Sequence, residues 1–595
     1  MPCVCICVFM SVWARGLQVC PGLTLPKVKG KCIPALAGFF FLLSVTMTGC
    51  FLWQYHLRKA ELGSSDMEVI SETVRMCPRY PEPVPLQHPL PVLKEALEKV
   101  DRLLQQIMPT VPGLTAMSAV VIYNDTVLWT GNFGRKNGSD RASGPPTEYT
   151  IYRIASISKI FPTIMLYRLW EEGIVASLDD PLERYAQSFR IKNPLETGPR
   201  PFWGRLMDGL EEGAPPFKST TVTLRRMASQ LSGLPRRLRS TTLLWRGSTE
   251  DALALLQDDV LVADPGTRCH YSTLAFSLLA HVLTRHTGNK DYQRWVSENI
   301  LDRLGMEDTG FDLVPWVQAR MAAGFYGSGN PAPLYDLGWY RPSGQMYSTP
   351  SDLAKLAMVL LGSAPQSVLT PDTLKTMLTP LLTCPGTYFA NQTGTPWEFH
   401  GQRGYSIVRK DGDLDGYAAT FSLVPQLKLS FIVLMAGPRP PGPDLVTQVY
   451  NVLIPAMETA FREVERSLAS PPNPGPYLGF YTYANLTFYE ILLGPSGVLC
   501  MQQFGPQVEK LIPAKFRTLK LHHLQGRVFQ MVVDKEFPCV LPLGAAWLPL
   551  ETQHGQLLNF YPFDQRGLSP GFDAPGLSTY KVLRMAQKPV FKTAA

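Results

Sequence analysis

The apolar positions of this chain change their period several times, and each change marks an element. Residues 33–53 form an uncharged, mostly apolar run, about the length that crosses a ~30 Å hydrocarbon core. It is too long for the apolar part of a cleaved signal peptide, ~7–15 residues. Residues 93–108 carry apolar side chains at helical spacing. Two strand-like runs, 117–123 and 126–133, meet at Asn124-Asp125 and predict a β-hairpin. Residues 160–170 look helical, and a loop-rich, mostly helical region extends to about residue 395. Three apolar runs, 405–409, 418–424 and 429–435, predict adjacent antiparallel strands, and 445–468 predicts a helix. A hairpin, an inserted helical region and three more strands describe an α/β domain. Its antiparallel sheet draws strands from both ends of the segment and is flanked by helices.

Proline marks the boundaries. Cys77-Pro-Arg-Tyr-Pro-Glu-Pro-Val-Pro is a stiff spacer, and Pro471-Pro-Asn-Pro-Gly-Pro is a linker by composition. Short β-rich runs at 477–483, 528–533 and 557–561 predict a separate small barrel or sandwich. The organisation is therefore a tail (1–32), a membrane-spanning helix (33–53), a spacer (54–92), the α/β domain (93–468), a linker (469–476) and a C-terminal all-β domain (477–595). No internal repeat is visible.

Composition adds direction. Apolar residues are 45% and charged residues 18%, a globular balance. The net charge of +7 is small for 595 residues, and nothing resembles a nucleic-acid-binding surface. The densest basic cluster, Arg236, Arg237 and Arg239, reads as a solvated loop face. Arg15, Lys27, Lys29 and Lys31 precede the apolar run, whereas Arg58 and Lys59 are closely followed by Glu61. That excess places the N-terminus in the cytosol and everything after the span in the lumen or exterior. The sequons at Asn124, Asn137, Asn391 and Asn485 all fall on that side, as glycosylation would require. Cys3, Cys5, Cys7, Cys20 and Cys32 precede the span and Cys50 lies within it. Cys77, Cys269, Cys384, Cys500 and Cys539 follow it, where disulfides form. Their number is odd, and Cys500–Cys539 is the expected pair because both lie in the C-terminal segment. No CxxC or HExxH spacing exists, so no metal site is expected.

Candidate chemistry begins at Ser156-Ile-Ser-Lys159. In a helix, residues three apart share a face, so the Lys159 amine can reach the Ser156 hydroxyl. A serine at a helix N-terminus also meets the positive end of the dipole. Two further segments give this motif its context. Tyr271-Ser-Thr273 precedes an apolar helix-like run, and Lys410-Asp411-Gly412 ends a strand with Asp413 after it. Three rivals are weaker. Ser578-Thr-Tyr-Lys581 lies in the β-rich tail. Tyr347-Ser-Thr349 runs straight into Pro350, which suits a helix start. Gly567-Leu-Ser569-Pro-Gly571 lacks the strand before and helix after that a nucleophile elbow needs.

In this order the three segments resemble the serine β-lactamase/penicillin-binding family, especially its class C β-lactamase and esterase branch. That family shows S-x-x-K, then Y-x-N or Y-x-S, then K-T-G or H-x-G. Residues 153–159, 178–182, 223–235 and 342–353 look like its framework segments, and the resemblance covers about residues 85–465. It implies a β-lactamase/transpeptidase-like fold, and the C-terminal domain is similar to a lipocalin-like appendage in some members.

The resemblance also implies roles. Ser156 attacks a carbonyl and forms an acyl-enzyme, and Lys159 and Tyr271 share the general-base work. Lys159 and Lys410 would lower a tyrosine pKa from near 10. The backbone N–H groups of Ser156 and Asp413 form the oxyanion hole, and Gly412 lets substrate approach the strand closely. Neither metal nor organic cofactor is required. Three departures alter specificity. Thr273 replaces the usual Asn, Asp411 stands where Thr or Ser helps bind a substrate carboxylate, and Asp413 adds a second acid. Two carboxylates beside Lys410 would oppose an anionic substrate and favour an ester or a neutral or cationic amide. Gln230 replaces a framework His in what is expected to be a structural role. The expected function is a membrane-anchored serine hydrolase acting on a small ester or peptide-like substrate. The alternatives are an inactive scaffold or binding protein and a self-associating polymer.

Overall fold

The computed structural model describes Thr48, residues 90–194 and residues 221–591, apart from short stretches at 289–290, 365–366, 387–389, 495–496, 534–536, 544–545, 550–553 and 578. The expected membrane span therefore lies outside the described residues, save Thr48. Among the described residues no helix is long and apolar enough to cross a membrane.

The first helix, α1 (Pro91–Ile107), starts on a proline whose missing N–H costs nothing at that position. It buries Leu93, Ala96, Leu97, Val100 and Leu104, one face at three- and four-residue steps. The hairpin β1 (Ala116–Tyr123) and β2 (Thr126–Gly134) follows as expected, turning through Asn124 at φ 54°. After the short strand β3 (Tyr152–Arg153) come α2 (Ile160–Glu171) and, farther along, α3 (Thr273–Thr284). Strand β4 (Tyr347–Ser348) pairs with β3. Strands β5 (Leu382–Thr383), β6 (Gln392–Thr393), β7 (Glu398–Gln402), β8 (Tyr405–Leu414), β9 (Tyr417–Val424) and β10 (Leu429–Ala436) precede the long helix α4 (Leu445–Ala469).

The sheet runs β2-β1-β10-β9-β8-β7-β6-β5. Within it β1 pairs antiparallel with β10, Ala116 lying opposite Ala436, 320 residues along the chain, so both ends of the segment do meet in one sheet. Alternation along β1 divides two cores. Ala116, Val120 and Ile122 face the inserted helical region, while Met117, Ala119, Val121 and Tyr123 face α1 and α4. The sheet is wider than expected by β5–β7. Two of these have only two residues, and β7 (Glu-Phe-His-Gly-Gln) has no run of apolar residues to announce it.

The tail forms a closed eight-stranded barrel, β11 (Gly479–Tyr483), β12 (Thr487–Leu493), β13 (Leu499–Phe504), β14 (Thr518–Gln525), β15 (Val528–Val532), β18 (Leu557–Phe560), β19 (Gly571–Ala574) and β20 (Thr579–Met585). A separate pair, β16 (Val540–Leu543) and β17 (Ala546–Pro549), interrupts the series. Its strands run up and down in order, closed by β20 on β11, so the separate all-β domain is a barrel rather than a sandwich. The buried interior carries Tyr481, Phe529, Phe560 and Phe572, with Phe560 5.3 Å from Phe529 and 5.2 Å from Phe572 between ring centroids.

The expected Cys500–Cys539 bond is not made. Cys500 remains a buried thiol beside the Val498 carbonyl, and Cys539 is disulfide-bonded elsewhere. Cys269 and Cys384 pair instead. Nearness along the chain was a poor guide, because Cys500 lies on the barrel strand β13 whereas Cys539 lies outside the barrel strands, just before β16.

Candidate active site

Ser156 is presented by a 3-10 turn, Ala155–Lys159, between β3 and α2. Three residues per turn eclipse positions 156 and 159, and Lys159 Nζ lies 3.0 Å from Ser156 Oγ. Ala155 enters the turn at φ 47°, a left-handed conformation costly for a residue with a Cβ and often found where function requires strain. The turn is tied down on its far side, where Ser158 Oγ accepts from Met346 N at 3.1 Å and Arg153 donates to Gln345 Oε1 at 3.1 Å. Lys159 Nζ is fixed from a third direction by donation to the Ser343 carbonyl at 2.8 Å.

Tyr271 arrives on the loop before α3, and its hydroxyl donates to Ser156 Oγ at 2.8 Å. The loop is held by short-range chemistry. Ser272 caps α3 by accepting from Ala275 N and donates to the Pro235 carbonyl at 2.7 Å. Ser272 N donates to Gln230 Oε1 at 2.6 Å, which gives Gln230 its structural role. The Cys269–Cys384 disulfide anchors the same loop two positions before the tyrosine. Thr273 lines the cleft at the first turn of α3.

The third segment comes from β8. Its pleat puts Lys410 and Gly412 on one face and Arg409, Asp411 and Asp413 on the other. Lys410 Nζ lies 5.4 Å from the Tyr271 ring centroid and is bonded to the Glu398 carboxylate of β7. A Cβ on Gly412 would lie 2.3 Å from Ile154 O and 3.0 Å from Ser156 N, so only glycine lets the strand approach the nucleophile's backbone this closely. The two amides nominated for the oxyanion hole therefore belong to the segments that meet here. The resulting cleft has a volume of about 590 Å³.

Electrostatics separates the two lysines. Burial, then the neighbouring charge of Lys410, hold the Lys159 amine well below its ordinary range. Burial also works against Lys410, but the Glu398 carboxylate outweighs it and keeps the ammonium protonated. One lysine is poised as a base and the other as a fixed charge.

Asp411 and Asp413 are both engaged by arginines. Asp411 accepts from Arg409 at 2.8 Å and from Thr420 at 2.7 Å. Burial would raise its pKa, but Arg439 and Arg409 outweigh that and hold the carboxyl below its usual range. Asp413 accepts from Arg439 at 3.0 Å. Each acid is matched by a guanidinium on the strand face away from the lysine. Glu398, Arg409 and Arg439 went unrecognised in the sequence. Glu398 left one usable signal, an acid between Trp397 and Phe399, since an unpaired carboxylate is rarely placed among large apolar residues.

The rival motifs stay apart from this site. Ser569 is fully buried and donates to the Gly571 carbonyl at 2.8 Å. Tyr347 is a core residue, and Thr349 caps the helix Pro350–Leu360. Residue 578 lies outside the described residues. The sequon asparagines occupy turns or loops, Asn391 and Asn485 exposed and Asn124 and Asn137 half-buried.

A serine, a buried lysine and a tyrosine, gathered between a helical region and an antiparallel sheet, define the beta-lactamase-like serine hydrolase class. A family model described as Beta-lactamase matches residues 100–454, and the chain belongs to that family. It is 70% identical over 518 residues to "Putative beta-lactamase-like 1" of Homo sapiens, covering 87% of this chain and 100% of the relative. It is 30% identical over 409 residues to "Beta-lactamase-like protein 2" of Dictyostelium discoideum, covering 66% of this chain and 69% of that one. A solved structure, the octameric penicillin-binding protein homologue from Pyrococcus abyssi, aligns with a TM-score of 0.49 at 20% identity, covering 78% of this chain and 96% of that chain.

Proposed function

We propose that this chain is a membrane-anchored serine hydrolase that cleaves esters or amides through an acyl-enzyme on Ser156. The observation that carries this reading is the double engagement of Ser156 Oγ, 3.0 Å from Lys159 Nζ and 2.8 Å from the Tyr271 hydroxyl. A lysine held well below its ordinary pKa by burial can take the serine proton. Ser156 Oγ then bonds to the substrate carbonyl carbon, and the oxyanion is met by the N–H groups of Ser156 and Asp413. The leaving group departs with the proton, returned through Tyr271, and water hydrolyses the ester. Lys410, kept charged by Glu398, stabilises negative charge in the cleft throughout.

Residues 33–53 serve as the anchor in this reading, with the N-terminus cytosolic and the hydrolase domain lumenal or extracellular. A disulfide between Cys269 and Cys384 and surface sequons suit an oxidising compartment. Asn124, Asn137, Asn391 and Asn485 are the proposed glycosylation sites. Alkaline extraction of membranes and a glycosidase mobility shift test this placement, and release into the soluble fraction without a shift would reject it.

The catalytic reading is tested with 4-nitrophenyl acetate. A burst of nitrophenolate and an intact mass raised by one acetyl group are expected, both absent in Ser156→Ala. A folded wild type that gives neither supports the second reading, an inactive scaffold, which the replacement of the family's Asn by Thr273 favours.

A further inference from the structure

Every carboxylate lining the cleft has a basic partner. Glu398 is bonded to Lys410, Asp411 and Asp444 to Arg409, and Asp413 to Arg439. Arg236 also lines the cleft, on the loop that follows the framework segment, and is exposed there. It has no carboxylate partner among the described residues. Its guanidinium carbon lies 5.7 Å from the Tyr271 ring centroid, and the hydroxyl of that ring is 2.8 Å from Ser156 Oγ. Its neighbours behave otherwise. Arg239 donates to the Asp258 carbonyl, and Arg237 is exposed without lining the cleft. All three arginines are exposed, as expected of a solvated loop face, and Arg236 in addition lines the cleft.

We propose that Arg236 is a specificity-determining residue that receives an anionic group, such as a carboxylate, on the substrate. This rests on the hydrolase reading above and names the substrate class for the same site. The side chain is an unmatched cation at the rim of a cleft, a planar fork suited to a carboxylate, placed beside the tyrosine that bonds to the nucleophile. The guanidinium is already close enough for its charge to act on Lys159. Arg409 and Arg439 are unsuited to this task because Asp411, Asp413 and Asp444 occupy them, three carboxylates against two guanidiniums. That negative surplus directs an anion away from the far face of β8 and toward Arg236. The family's expected carboxylate position at residue 411 is thereby replaced by one on the Tyr271 side.

The test is equilibrium binding of two uncleaved amides, succinic acid monoanilide and butyranilide, to the purified full chain. Binding does not require catalysis, and reaction of Ser156 with a fluorophosphonate is read separately on the same protein. A failure of the hydrolase reading is thus distinguishable from a failure of this one. The anionic amide should bind roughly fivefold tighter at low salt, with the preference shrinking as salt rises. Arg236→Gln should abolish the preference, Arg236→Lys should keep part of it, and Arg237→Gln should leave it intact. Equal affinity for the two amides, no binding of either, or a preference that survives Arg236→Gln would overturn the proposal.

Discussion

The Lys410 ammonium is bonded to the Glu398 carboxylate, with the two side chains only 2% and 6% exposed. Strand β7 exists beside β8 to make this possible, and Asp411 N also donates to Glu398 Oε2 at 3.3 Å. Removing one partner of a buried pair leaves the other charge unmatched, which costs roughly 3–5 kcal/mol. Glu398→Gln should therefore destabilise the domain by that amount and slow acylation. The double variant Glu398→Gln/Lys410→Met should regain stability without regaining acylation. Chemical denaturation and the nitrophenolate burst measure the two effects, and additive losses in stability would count against the pair acting as a unit.

Lys159 sets the pH dependence. Its pKa is lowered in the folded protein, so between that value and the ordinary lysine range the unfolded chain binds more protons. Stability should rise with pH across this window. Acylation needs the neutral amine, so its rate should also rise with pH, with a midpoint below the ordinary lysine value. Lys159→Met should cut acylation by roughly 10²–10⁴-fold and remove the contribution of this residue to the stability slope. A pH–rate profile that does not change in Lys159→Met would assign the base elsewhere.

Much of this arrangement was legible in the residues. The hairpin β1–β2, the strands β8–β10 and the helices α2 and α4 follow from apolar runs long enough to show their period. Ser156, Lys159, Tyr271 and Lys410 follow from ordered motifs. The pairs that tune them were not legible, because Glu398 reaches Lys410 and Arg439 reaches Asp413 only through sheet register and loop return. The partners of the two acids were hidden for the same reason. Asp411 and Asp413 counted as two acids beside a lysine, and the pleat puts them with Arg409 and Arg439.

Gly412 offers a steric test of the meeting between β8 and the nucleophile turn. Its added Cβ would press on backbone atoms at Ile154 and Ser156, which cannot rotate away. Gly412→Ala should cost about 1–3 kcal/mol of stability and reduce acylation sharply. A variant of unchanged activity would mean that the strand has room to spare.

The Cys269–Cys384 disulfide closes a loop across 115 residues and ends two positions before Tyr271. Cys384→Ser should cost roughly 2–5 kcal/mol and, at temperatures where the domain stays folded, lower the acylation rate by loosening the tyrosine loop. Thermal denaturation and burst kinetics on one preparation separate the two effects. A stability loss with unchanged kinetics would limit the bond to a structural role.

Whether Ser156 is an activated nucleophile is tested most directly by treating the purified full chain with a fluorophosphonate probe and locating the adduct by peptide mass spectrometry. The expected result is stoichiometric labelling at Ser156, lost in Ser156→Ala and in Lys159→Ala with folding intact. A well-folded wild type that takes up no label, or takes it up at another serine, would contradict the account.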